Sequence, residues 1–148
     1  MSPILWLSNG VTVSNLIIGT ESSSGIWCSG SCTLKNVYFE RVCTHAAAFN
    51  ATTDFTKTDR RSFTYTVEGG AGLHALDKMF VQSGPGKTII NNFCGDGFQK
   101  VWRSCGTCND EPGMPRIKTK FPSIMSKYLV TKIVQQELFM PVEKLNQK

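Results

Sequence analysis

Three stretches of this chain share one frame: a threonine, an apolar residue, any residue, an asparagine. The copies are Thr12-Val13-Ser14-Asn15, Thr33-Leu34-Lys35-Asn36 and Thr88-Ile89-Ile90-Asn91, and the first two are 21 residues apart. Each sits in a short run of β-type residues. The runs Val11 to Gly19, Cys32 to Glu40, Ser62 to Val67, Lys78 to Val81 and Lys87 to Phe93 read as strands, and Gly, Ser and Asn clusters separate them. A short strand cannot bury its apolar face alone, but stacked copies recurring every ~20–25 residues can. The frame therefore predicts an all-β solenoid whose coils contribute strands to stacked parallel sheets. Equivalent asparagines can then lie above one another and hydrogen-bond along the axis.

The 148 residues suffice for one core. Two regions differ in style. Residues 1–112 are rich in glycine and balanced in charge, with nine Lys/Arg against nine Asp/Glu. Residues 113–148 carry seven against two and only Gly113. The basic pI thus reports the tail, and an anion site in the body must be a local cluster. In the tail, Tyr128, Leu129, Ile133, Val134 and Leu138 fall on one helical face, with Ser126 as a cap and Pro141 as a stop. The expectation is a divergent basic tail with a helix that is either a cap on the solenoid or foreign sequence, its charged face solvated.

All six cysteines lie in the body, at 28, 32, 43, 94, 105 and 108. This density favours an oxidising compartment, and the spacing does not choose a pairing. A zinc site from Cys28, Cys32, Cys105 and Cys108 is a weaker reading, because the two pairs are far apart in sequence. Cys43 with His45 has the spacing of a nucleophile and its base on one strand face, but no orienting acid follows. The triplet Asn50-Ala51-Thr52 is a glycosylation sequon. The opening MSPILWLSNG lacks the basic and long apolar regions of an export leader. No apolar run is long enough to span a bilayer.

The stretches Ser23 to Phe49 and Glu68 to Cys108 carry the strings Gly-Ser-Cys-Thr-Leu-x-Asn-Val, Asp-Lys-x-Phe and Arg-Ser-Cys-Gly-x-Cys. Together with the early strand VTVSNLIIG they resemble the small pectate lyases of polysaccharide lyase family three, from about Pro3 to about Arg116. The resemblance implies a right-handed parallel β-helix, in agreement with the repeat. It also implies secretion and calcium-dependent cleavage of polygalacturonate. The expected partner is this acidic polysaccharide, with no nucleic acid and no membrane, and the expected state is a monomer.

That reaction is a β-elimination. A base removes the C5 proton of a uronate and the C4 glycosidic oxygen leaves. The neighbouring carboxylate must be neutralised for charge to build up at C5, a task suited to a cation held by oxygen ligands. Basic side chains then hold the substrate and the enolate-like transition state. By resemblance the catalytic basic residues are Lys78, Lys100 and Arg103, with the arginine as proton acceptor. A guanidinium is almost always protonated, so that role demands an unusual site.

The acidic half of the machinery is replaced. The family's three calcium-binding carboxylates fall on Ser24, Thr44 and His45. Two of these offer neutral oxygens and the third a nitrogen, a poor match for a hard cation. Calcium is expected from the family, but its ligands are missing here. Trp27 replaces a histidine usual in the family, as a sugar-stacking platform or as core. Two functional classes follow: an active lyase, and a non-catalytic pectate-binding β-helix or product of a decaying lyase gene. The first rests on Lys78, Lys100 and Arg103. The second rests on the lost carboxylates and the divergent tail.

Overall fold

A computed structural model describes residues 2–20, 25–51, 63–84, 86–104 and 127–135, the last stretch by its backbone. The strands run in the order β1 (Leu5–Leu7), β2 (Val11–Ile18), β3 (Ile26–Cys28), β4 (Cys32–Phe39), β5 (Ala47–Phe49), β6 (Thr64–Glu68), β7 (Ala71–Leu73), β8 (Lys78–Gln82), β9 (Lys87–Asp96), β10 (Lys100–Ser104) and β11 (Lys127–Gln135). Apart from β6 and β7, which share a sheet, successive strands alternate between two sheets. The first sheet has the order β1-β3-β5-β8-β10 and the second β11-β9-β6-β4-β2, with β7 beside β4 and β9. Every pairing is parallel except that of β11. This is the expected parallel β-helix, of about four turns.

The asparagine frame marks a corner inside the second sheet. Asn15 and Asn36 adopt left-handed backbone, with φ of 53° and 52°, and the side-chain amide of Asn36 donates to Asn15 Oδ1 at 2.8 Å. Asparagine is one of the few residues with a side chain that tolerates this region. The third copy is offset by one. Thr88 pairs with Tyr65, which pairs with Cys32 rather than Thr33. The corner accordingly falls on Asn92 (φ 53°), while Asn91 donates to Glu68 Oε2 at 3.0 Å. In the coil between, Gly69 (φ 67°) and Gly70 (φ 92°) break the strand into β6 and β7. A side chain at Gly70 would place its Cβ 2.2 Å from the Val37 carbonyl oxygen, so the coils stack too closely there for any residue but glycine.

Alternation sends one side of each strand inward. Leu34, Phe39, Tyr65, Val67, Ile90 and Phe93 from the second sheet meet Ile26, Phe49, Phe80 and Trp102 from the first. Phe49 stacks on Tyr65 at 4.9 Å and on Phe80 at 6.0 Å, and Phe80 meets Phe93 edge-on at 4.9 Å. The buried polar side chains of Gln82 and Thr88 are paired. Buried Gln82 donates to the carbonyls of Gly84 and Gly86 and accepts from Thr88, which ties the turn between β8 and β9 to the interior.

One expectation is corrected, and one weaker reading is excluded. The tail residues 127–135 form a strand, antiparallel to β9, where a helix was expected. Tyr128, Val130, Thr131, Ile133 and Val134 are β-branched or aromatic, and β9 offers an edge of unpaired backbone groups. Pairing with that edge outweighs a helical pattern only a few turns long. The zinc arrangement fails because Cys28 and Cys32 are joined as a disulfide across the corner from β3 to β4, and Cys105 and Cys108 lie outside the described residues. Its loop is short, so its effect on the unfolded chain is small. The sequon is set into the wall of the coil: Asn50 Oδ1 is enclosed and Ala51 is buried, while Thr52 lies outside the described residues.

Candidate functional site

The coil register decides which basic residues meet. Lys100 pairs directly with Lys78 across β10 and β8, and Arg103 pairs with Val81. Both lysines open their strands just after a corner. That corner is fixed by the Asp77 carbonyl, which accepts from the amides of Gln99 and Lys100, each at 3.0 Å. The Gln99 side-chain amide adds a bond to the Leu76 carbonyl at 3.2 Å. The three expected basic residues therefore lie on the last two strands of the first sheet.

At their centre is a carboxylate that the sequence did not single out. Asp77 is hydrogen-bonded and ion-paired to Lys78, and its other oxygen lies 3.8 Å from Lys100 Nζ. Partial burial pushes the Asp77 carboxyl up. The Lys78 hydrogen bond and the charges of Lys78, Lys100 and Arg103 outweigh this and hold it below the usual aspartate value. Asp77 stands next to Lys78 in sequence, where an acid beside a base reads as an ordinary surface pair. Only the stacking of Lys100 over Lys78 shows that one acid serves both lysines.

His45 sits one coil away. Its carbonyl accepts from the Gly25 amide at 3.2 Å, and the neighbouring Ala46 amide donates to the Met79 carbonyl at 2.7 Å. The corner holding Thr44 and His45 is thus clamped between the coil that follows residue 24 and the coil of Lys78. Ser24 itself lies outside the described residues. Burial pushes the His45 pKa below its ordinary value, and the Lys78 charge adds to this, with Asp77 opposing. Cys43, a free thiol, lies in the bend ahead of His45 rather than on a strand with it. The alternation needed for a Cys–His pair on one face is absent.

A calcium ion does not fit this donor set. No group of three His, Cys, Asp or Glu able to hold a metal occurs among the described residues. Thr44 and His45 bring one neutral oxygen and one imidazole, and the nearby Lys78 adds positive charge. Calcium requires six to eight oxygens, several of them anionic.

The family profile for pectate lyases matches residues 1–135, which include β11. The chain belongs to the pectate lyase family. It is 37% identical over 108 residues to the probable pectate lyase F of Aspergillus flavus, covering 73% of this chain and 43% of that protein. It is 36% identical over 124 residues to pectate lyase H of Emericella nidulans, covering 84% and 44% respectively. The chain thus spans less than half the length of these curated relatives. No solved structure matches it significantly.

The lowered pKa of His45 makes stability depend on pH. An unfolded histidine takes up a proton near pH 6.5, and the folded one does so at lower pH. Between those values the unfolded state binds more protons, so stability is full above about pH 6.5 and falls as the pH drops. Asp77 is also depressed, from 3.8, so its contribution is lost only at lower pH. Urea midpoints measured from pH 7 to pH 5 are expected to fall in the native protein. They are expected to fall less in His45→Gln. Equal slopes in both would remove His45 as the cause.

Proposed function

We propose that this chain is a pectate lyase-like β-helix that binds polygalacturonate across the last strands of its first sheet, with eliminative activity weak or lost. One observation carries the reading: Lys78 and Lys100 gather around Asp77 with the charge of Arg103 acting from farther along β10, while the corner beside them lacks the carboxylates that calcium requires. Three bases against one acid leave a net positive patch suited to uronate carboxylates. The proton-acceptor role is poorly served. Arg103 is exposed and within electrostatic reach of a carboxylate. The disulfide and the polysaccharide partner support an extracellular setting.

The test is an ultraviolet assay for unsaturated product on polygalacturonate, with and without calcium, beside a binding measurement on the same sample. The expected result is binding with little or no turnover and no response to calcium. Clear calcium-dependent turnover would overturn the reading in favour of an active lyase. The variant combining Ser24→Asp, Thr44→Glu and His45→Asp is expected to bind calcium measurably, by calorimetry, where the native chain does not. A rise in turnover would identify ligand loss as the defect.

A further inference from the structure

Alternation along the first sheet places one residue of each strand on its outer surface. In β1, Leu7 is buried and Leu5 packs on the core, so Trp6 between them points outward. In β3, Ile26 and Cys28 are buried on either side of Trp27. In β5, Ala47 and Phe49 line the core and Ala48 is the alternate residue. In β8, Phe80 and Gln82 are buried around Val81, and in β10 buried Trp102 precedes exposed Arg103. These alternate residues are in register: Trp6 pairs with Trp27, Trp27 with Ala48, Ala48 with Val81, and Val81 with Arg103. One column on the outer face therefore reads Trp, Trp, Ala, Val, Arg.

The two indoles are in contact, with ring centroids 5.3 Å apart and planes tilted by 46°. Trp6 is 61% exposed, and with Trp27 against it the outer face carries a two-ring aromatic patch. Beyond Trp27 the column is low, because Ala48 is small and buried and Val81 is half-buried. It ends at Arg103, beside the Lys78–Asp77–Lys100 cluster. Three strand steps separate Trp27 from Arg103, roughly 14 Å at the usual ~4.8 Å spacing. The column is thus aromatic at one end, shallow and uncharged in the middle and cationic at the other end.

We propose that Trp6 and Trp27 form an accessory saccharide subsite, on which pyranose rings of the same polygalacturonate chain stack while its carboxylates engage the cation cluster. The inference rests on the polygalacturonate reading above and adds the two residues on which the bound chain stacks beyond the cations. The polymer matches both ends of the column. Its sugar rings present flat faces of C–H groups to an aromatic surface, and its carboxylates present charge to lysine and arginine. A protein partner would use the indoles but would leave the register with the cations unexplained.

The test is calorimetric titration of the full chain with galacturonate trimers and with longer oligomers. The native protein is expected to bind the longer oligomers more tightly. Trp6→Ala is expected to lower affinity for the longer oligomers about three- to tenfold and leave that for trimers unchanged. Trp6→Phe should recover most of the loss. Because Trp6 is exposed, its replacement spares the core, and an unchanged urea midpoint checks this. If Trp6→Ala binds the longer oligomers as the native chain does, while Lys78→Gln with Lys100→Gln binds none, the subsite is wrong and the polygalacturonate reading stands. If the native chain binds neither length, that reading fails and takes the subsite with it.

Discussion

Replacing Phe80 with alanine is expected to destabilise the protein by about 3–5 kcal/mol, the range for removing a fully buried phenylalanine. Phe80 is 0% exposed and links the two sheets, stacked on Phe49 and edge-on to Phe93. It also lies on β8, which holds β5 on one side and β10 on the other. In a solenoid each coil is supported mainly by its neighbours, so a cavity at β8 weakens both interfaces together. A domain stable by about 5–15 kcal/mol would lose much of its margin. Urea denaturation checks this, with Ile17→Ala as the reference: Ile17 is 65% exposed on the second sheet, and its loss should stay within about 0.5 kcal/mol. Similar midpoints for the two variants would show that the aromatic stack is not where the stability lies.

The same contrast between repeated and unrepeated signals explains how much the sequence revealed. The five strands expected from β-type runs all form, because each is long enough to register and three of them share a repeated frame. The first sheet was largely invisible. β1, β3 and β5 have three residues each, too few for a period to register. Their existence follows only once the long strands are stacked. The corner asparagines were legible as a frame, but not the slip that moves the third from Asn91 to Asn92, which depends on the lengths of intervening turns. The tail misled for the opposite reason: its apolar spacing fits a helix, and the open edge of β9 that draws it into a sheet is a property of the fold. In the candidate site, resemblance named Lys78, Lys100 and Arg103, and the coil register shows why Lys78 and Lys100, 22 residues apart, form a pair. Asp77 and the pairing of Trp6 with Trp27 needed the register itself, although the two tryptophans are separated by the same 21 residues as the first two asparagine frames.

The cation cluster sets up the second large effect, and its sign can be tested in both directions. Changing Lys78, Lys100 and Arg103 together to glutamine is expected to weaken polygalacturonate binding by more than about a hundredfold, since single hydrogen bonds to charged groups contribute about 1.5–3 kcal/mol. Lys100 and Arg103 are exposed, so salt should weaken native binding steeply and leave the triple variant nearly unaffected. Asp77→Asn provides the converse. In the native chain Asp77 is paired with Lys78 and lies 3.8 Å from Lys100 Nζ, so it competes with any uronate for the same ammonium groups. Removing its charge should tighten binding of the polyanion, even though it deletes an ion pair from the fold. The gain should be largest at low salt, and the urea midpoint should fall slightly. Weaker binding by Asp77→Asn would mean that the carboxylate holds the lysines in their binding geometry, and that positioning rather than net charge governs the site.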